Sequence, residues 1–386
     1  MMEVKDIKTK KISKDTVKVL EVIRQGKIGG GESHVLDLVK NLDKEFYHPV
    51  VLSFTDGPMV SQLKDWGIKV YVIPTETPFD FKVWNQVKRL MISEGISLVH
   101  AHGTRANTNV FWPAKQLNIP VIYTVHGWSF NHGLGPVKEN IRRFSEKLMV
   151  KRSAITINVS NANLKDGLRL LGNYEHTLVN YGIDLTNFKF DGNYADLRKE
   201  FGFNDEHVVV GGIMRMTTQK DPVSLIKSFA KASQSDDQLR LLLVGDGELK
   251  NEVETEIENQ NIADKVKLQP FRKDIPAVLN AIDIYFLPSL WEGLPIGMLE
   301  AMSMKKAILA SDVDGSKEAI INGRNGILCK SKDIDAFAQG LLKYSTDPEL
   351  RRAYGEEAYK TILEHFEVKK MTSNVQTVYD KILNNQ

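Results

Sequence analysis

The strongest constraint in this sequence is an alternation repeated twice along it: short apolar runs rich in Val and Ile, each followed by a longer amphipathic stretch. That rhythm predicts a parallel sheet covered by helices on both faces. In the first half it places strands at VKVLEVI (17–23), HPVVLSF (48–54), KVYVIP (69–74), SLVHAH (97–102), PVIYTVHG (120–127), AITINVS (154–160) and HTLVNYGI (176–183). In the second half it places them at HVVVGGIM (207–214), LRLLLVGDG (239–247), KVKLQPF (265–271), IYFLPS (284–289), AILASD (307–312) and GILC (326–329). The polar stretch DLTNFKFDGNYAD between the two sets reads as a linker. A chain of 386 residues with 42% apolar content has the material for two cores. The expected fold class is therefore α/β, with two Rossmann-like doubly wound domains whose strand ends open on a cleft.

Charge narrows the function classes. Lys and Arg exceed Asp and Glu by only two, which does not resemble the basic footprint of a nucleic-acid binder. Cys329 is the only cysteine, so no internal disulfide forms, and inside a strand it reads as a small core residue. The first sixteen residues are lysine-rich without the apolar run of a signal peptide, and no segment reaches the roughly 18–20 apolar residues of a membrane span. The expectation is a cytoplasmic protein.

The unusual residues fall just after strands. In PSLWEGLPIGMLEAM (288–302), Glu292 and Glu300 bracket a glycine-containing turn and the start of a helix. Backbone N–H groups there suit a phosphate or a sugar hydroxyl, and two carboxylates suit vicinal hydroxyls. A helix cap plus a solvated glutamate is the plainer reading of the same pair. Arg215 and Lys220, in MRMTTQKD, follow the first strand of the second half. Two cations held there could neutralise a departing diphosphate, or simply be solvated. Gly29, Gly30 and Gly31 follow the first strand and let a backbone approach a ligand, but match neither a dinucleotide fingerprint nor a Walker loop. His100, His102 and His126 end strands; His100 and His102 lie two apart with no carboxylate at metal-ligand spacing nearby in sequence, so no metal site is expected. The basic stretch 137–153 carries an apolar stripe of Val137, Ile141, Phe144 and Leu148. It reads as a core-facing helix, with contact to an anionic membrane as the alternative.

Taken in order, GGGESHV, YTVHG, RMTTQKDP, EGLPIGMLE and DVDGSKEAI with NGRNGIL resemble the motifs of the retaining GT-B glycosyltransferases of family 4 (glycosyl transferases group 1), over nearly the whole chain. The resemblance implies an N-terminal acceptor domain over 1–185, a C-terminal nucleotide-sugar domain over 186–367, and a final helix over 368–386 packing back on the first. It implies a metal-independent, retaining hexosyl transfer from a nucleoside-diphosphate sugar, a UDP-sugar first and a GDP-sugar second, with no further cofactor. The acceptor would be a glycan or a lipid-linked sugar in cell-surface polysaccharide synthesis, with a peripheral place on the inner face of the membrane as an extension of that reading.

The resemblance also distributes roles. Arg215 and Lys220 would stabilise the leaving diphosphate, and His126 would stand near the anomeric carbon. Glu292, with Gly293, Leu294, Pro295 and Ile296, would contact the transferred sugar, while Glu300 would hold the ribose. Gly30 and Gly31 would lie against the phosphates, Glu318 would join the donor pocket, and the base would rest near Phe271 and Arg272. Met214 stands where the family often has Gly. A catalytically silent nucleotide-sugar-binding subunit, or a sugar-nucleotide epimerase of the same shape, remains open on sequence grounds.

Overall fold

The computed structural model describes residues 16–27, 29–130 and 135–384, so most of the lysine-rich amino-terminal stretch lies outside the described residues. Seven strands make the first sheet: β1 (Val17–Ile23), β2 (Tyr47–Ser53), β3 (Lys69–Val72), β4 (Leu98–His102), β5 (Val121–Val125), β6 (Ile155–Asn158) and β7 (His176–Leu178). Six make the second: β8 (Val208–Ile213), β9 (Leu239–Val244), β10 (Val266–Gln269), β11 (Ile284–Leu287), β12 (Ala307–Ser311) and β13 (Ile327–Cys329). Each expected run supplies one strand. Apart from Arg240 and Ser311, runs such as LRLLLV and AILAS are apolar because both faces of a parallel sheet are covered, leaving no solvated face to impose alternation.

The strand orders are β3-β2-β1-β4-β5-β6-β7 and β10-β9-β8-β11-β12-β13. In each, the chain builds outward from its first strand, then returns to that strand's other side. Winding therefore reverses between β1 and β4 and between β8 and β11, and in open sheets of this kind the carboxyl ends of the strands at such a switch point are where ligands bind. Two parallel sheets of seven and six strands are what the expected pair of Rossmann-like domains requires.

The chain divides into two compact units, one formed by Met1–Thr124, His132–Thr156 and Gln376–Gln386, the other by Val125–Asn131 and Ile157–Val375. The core of the second includes Val209, Leu242, Phe286, Leu309 and Phe337. The first has clusters on both sides of its sheet, one around Leu52, Val99 and Val110, another around Val35, Val39 and Leu63. Cys329 is buried in the second core, and burial pushes its thiol up to about 11, which suits a packing residue.

The basic helix departs from expectation. In Pro136–Arg152 the buried positions are Glu146, Met149 and Val150, while Val137, Ile141 and Phe144 face solvent. The stripe read as core-facing is the outward one. Glu146 is drawn inside because Thr104 and Tyr123 both donate to it, at 2.5 and 2.8 Å, satisfying a carboxylate that periodicity alone would leave outside.

Candidate functional site

In the second unit the loop after β8 is pinned from behind by the turn after β9. The amide of Met214 donates to the carbonyl of Val244 (3.0 Å), that of Met216 to Asp246 (2.9 Å) and that of Leu249 to Met216 (2.9 Å). Gly245 makes this approach possible, since a Cβ there would collide with the Met214 carbonyl. Arg215 emerges between the pinned methionines, exposed, and among the described residues its side chain makes no hydrogen bond or ion pair. The loop then turns over Thr217–Lys220 and ends at Asp221, whose carboxylate accepts from the amide and hydroxyl of Ser224 and caps the helix Pro222–Ser233.

The loop after β11 is zipped to this one. The amide of Leu290 donates to the Gln219 carbonyl (2.8 Å), and the Gln219 side-chain amide donates to the Trp291 carbonyl (3.0 Å). This brings the Lys220 ammonium within 2.5 Å of Glu292 Oε1, which also accepts from the Ser289 hydroxyl at 2.6 Å. Lys220 is 18% exposed and Glu292 6%, so the pair is largely withdrawn from water. Gly293 and the buried Leu294 and Pro295 lead into the helix Ile296–Ser303, whose amino end has Pro295 as its cap residue and no side-chain cap. Glu292 is thus not a helix cap; it is the partner of Lys220. Glu300, half-buried, sits one turn into that helix. Beneath lies the hydroxyl of Tyr285, kept neutral by burial and by the charges of Glu300 and Glu292. The loop is backed by Gly315, where a Cβ would stand 2.6 Å from the Gly293 carbonyl oxygen and 2.7 Å from the Glu292 carbonyl.

His126 joins the same unit. Its ring stacks on Tyr181 with centroids 5.6 Å apart, and its Nδ1 shares a hydrogen bond of 2.8 Å with the tyrosine hydroxyl, which fixes the imidazole. A Cβ on Gly293 would lie 3.5 Å from both the His126 carbonyl oxygen and the Asn163 amide nitrogen, so the histidine segment borders the glutamate loop. Glu318 has both oxygens engaged at the amino end of the helix Asn161–Leu171, accepting from the side-chain amide of Asn161 and the backbone amide of Ala162 at 2.9 Å each. Phe271 is exposed after β10. Arg272 forks onto Asp274 (2.8 and 2.7 Å), reaches Glu200 (3.0 Å) and lies over Phe201, bonds that hold its guanidinium protonated. In the first unit, Gly30 and Gly31 open the helix Gly30–Asn41, whose cap residue Gly29 has no side chain to offer its amides.

The strand histidines have a different fate. His100 and His102 are fully buried beside Glu21, which β1 places opposite His100. Glu21 Oε2 stands 2.8 Å from His102 Nε2 and 3.2 Å from His100 Nδ1, Oε1 accepts from the Tyr379 hydroxyl at 2.7 Å, and His100 Nε2 meets Thr124 at 2.7 Å. A carboxylate does accompany the histidines, contrary to the spacing argument, because strand pairing and not sequence proximity supplies it. The three ligand atoms lie within 4.8 Å of one another, and they are cross-bonded into a closed network. Burial and the His100 charge lower His102 to about 4. Burial acts to raise Glu21, yet the charge and hydrogen bonds of His100, with those of His102, hold it well below the carboxylate range.

Sequence reasoning missed Tyr181, Ser289, Gln219, Gly245 and Gly315, each of which acts through packing or a loop contact. Glu21 did carry a signal, an acid inside an otherwise apolar strand.

Two family models match the chain, Glycosyltransferase Family 4 over residues 28–187 and Glycosyl transferases group 1 over residues 193–361. Among similar proteins is the UDP-Gal:alpha-D-GlcNAc-diphosphoundecaprenol alpha-1,3-galactosyltransferase of Escherichia coli, 25% identical over 95% of this chain and 98% of its own. The N,N'-diacetylbacillosaminyl-diphospho-undecaprenol alpha-1,3-N-acetylgalactosaminyltransferase of Campylobacter jejuni is 26% identical, over 84% and 89%. The crystal structure of Anabaena HepE in complex with UDP and glucose superposes with a TM-score of 0.83 at 22% identity, covering 95% of this chain and 100% of that one, a likeness of fold.

Proposed function

Because this chain belongs to the group 1 glycosyl transferases of family 4, we propose that it moves a hexose from a UDP-sugar to a lipid-diphosphate-linked sugar, with retention and without a metal ion. The observation that carries the reading is the pair of cations on one pinned loop at the β8/β11 switch point. Arg215 is exposed and, among the described residues, its donors are unengaged, and Lys220 is held by the nearly buried Glu292.

A diphosphate seated there meets two positive charges, that of Lys220 held by Glu292, and the uncapped amino end of the helix Ile296–Ser303. As the bond from the anomeric carbon to the diphosphate breaks, charge builds on the leaving oxygen, and the guanidinium and ammonium of this loop would neutralise it. Each such donor is worth roughly 3 kcal/mol, or about a hundredfold in rate. Glu292 keeps the ammonium in place and offers its other oxygen to a sugar hydroxyl, while Glu300 takes the ribose. His126, fixed by Tyr181, stands by the reacting carbon. The acceptor hydroxyl adds on the face the diphosphate leaves, and its proton passes to the departing phosphate oxygen, so no enzyme nucleophile is required.

UDP as the donor's nucleotide is supported by the UDP and glucose bound to HepE and by the UDP-Gal donor named for the Escherichia coli relative. A diphosphoundecaprenol-linked acceptor is named for that relative and, in kind, for the Campylobacter jejuni one. The test is thermal stabilisation by UDP, GDP and ADP in EDTA, followed by transfer to a prenyl-diphosphate sugar with the product's anomeric configuration read by NMR. Selective stabilisation by UDP and a retained configuration are expected. Absence of any nucleoside-diphosphate effect, or turnover that needs a divalent ion, would overturn the reading.

A further inference from the structure

The helix Pro136–Arg152 has two apolar faces, where a helix lying on a sheet needs one. Its inner face is held by buried Glu146, Met149 and Val150. On the opposite side Val137, Ile141 and Phe144 stand 70%, 64% and 71% exposed, spaced i, i+4 and i+7 along a single stripe that half-buried Leu148 continues. Apolar side chains scattered singly need no explanation, but three large ones aligned on one stripe mark a contact surface.

The charges flanking the stripe identify what it contacts. The helix carries six basic residues against two acidic ones, and one of those, Glu146, is turned inward. At 3.6 residues per turn, Lys147 and Lys151 border the stripe on one side and Lys138 and Arg152 on the other. Neighbouring helices extend the pattern. The helix Thr104–Gln116, against which this one packs, exposes Trp112 with Lys115 5.4 Å over its ring, and Trp84 of the helix Phe81–Glu94 lies 6.2 Å from Trp112, one turn from exposed Phe81. A second copy laid stripe to stripe would set these cations against each other. An anionic layer with an apolar interior satisfies both features at once.

We propose that this face of the first unit docks on an anionic lipid bilayer, the helix Pro136–Arg152 lying in the headgroup plane with Val137, Ile141 and Phe144 below the phosphates and Lys138, Lys147, Lys151 and Arg152 on them. The use of such docking rests on the lipid-linked acceptor proposed above, although the docking itself does not. Among the described residues no helix is long and apolar enough to cross a membrane, so attachment through this stripe would be peripheral.

The experiment is sedimentation of the full chain with phosphatidylcholine vesicles, with and without phosphatidylglycerol, alongside the melting shift given by UDP. Wild-type protein should sediment with the anionic vesicles, weakly with neutral ones, and less as salt rises. Ile141→Glu with Phe144→Glu should lower binding by about tenfold or more, and Lys138→Ala with Lys147→Ala should remove the preference for phosphatidylglycerol. Calorimetry should show the transition of the first unit, which carries the substitutions, unchanged in both variants, which certifies the fold, and the UDP shift should be unchanged as well. Equal binding to neutral vesicles, no binding to anionic ones, or a stripe variant that still sediments would overturn the proposal. So would a dimer in analytical ultracentrifugation that the stripe variant makes monomeric. If vesicles bind and UDP has no effect, the donor reading fails while the docking stands.

Discussion

Lys220 and Arg215 sit on one loop with the same formal charge, yet their surroundings give them different obligations. Lys220 balances Glu292, a carboxylate only 6% exposed whose other donor is a serine hydroxyl. Removing the ammonium leaves that carboxylate nearly buried and uncompensated, which is more damaging than losing the pair altogether. Lys220→Met is therefore expected to lose turnover by about a hundredfold and stability by roughly 2 kcal/mol, and Lys220→Met with Glu292→Met to recover much of the stability without the activity. Arg215→Met should cost the same turnover with an unchanged denaturation midpoint, because among the described residues its side chain supports nothing else. Equal midpoints for the two single variants in urea unfolding would remove the structural half of this argument. The sequence placed both cations after a strand, which was enough to nominate them. It could not separate them, because the partner of Lys220 lies 72 positions later and is delivered by the pairing of β8 with β11.

Strands were the most legible elements, since an apolar run of four to seven residues bounded by turn formers has few other uses in an α/β chain. Helix orientation was not. Periodicity identifies the stripe Val137–Ile141–Phe144 but cannot say which layer it meets, and the inward side of that helix is chosen partly by Glu146, a residue any hydropathy pattern assigns to solvent. The Glu21 network was hidden for a related reason: its members come from β1, β4 and the helix Val368–Asn384, and only register unites them. It has a measurable consequence. His102 is lowered from 6.5 to about 4 by burial and by the His100 charge, and His34 beside it is lowered too, by burial first. A group whose folded pKa is depressed takes up its proton more readily in the unfolded chain, so stability falls as pH drops. The loss begins near 6.5 and completes for His102 near 4, with Glu21 adding its share below the ordinary carboxylate range. The His102 contribution is about 3 kcal/mol. Urea midpoints measured from pH 8 to pH 4 should fall accordingly, and His102→Gln should flatten the curve. A wild-type profile that stays level across that range would refute it. Loop packing gives a second expectation at this scale. Gly315→Ala places a methyl 2.6–2.7 Å from the backbone of Glu292 and Gly293, so the glutamate loop must move. Turnover should drop at least about tenfold for a stability cost of roughly 1–3 kcal/mol, read by kinetics and calorimetry on the same sample.

At the scale of the whole molecule, the chain does not complete its first unit until its last eleven residues. Gln376–Gln386 group with the amino-terminal strands, separated from them in sequence by the whole of the second unit. The bonds are specific: the Asp43 amide donates to Gln376 Oε1 at 3.0 Å, the Tyr47 hydroxyl donates to Asp380, and the fully buried Tyr379 donates to Glu21 at 2.7 Å. A stop codon after Val375 would take away the Tyr379 ring, a loss of about 3–5 kcal/mol by comparison with other large aromatic truncations, and leave Glu21 and His100 short of a partner in a dry site. All the residues assigned to the donor, apart from Gly30 and Gly31, lie in the other unit and keep their contacts. Two units with separate cores need not melt together, so one melting temperature is a poor description of the protein and calorimetry with and without UDP is the better probe. On the proposed donor reading, the transition that UDP raises should be that of the unit holding Arg215 and Lys220. Truncation should lower the other transition and leave the UDP-sensitive one in place. The reverse result would mean that the carboxyl-terminal segment supports the donor unit, and that the first unit stands without it.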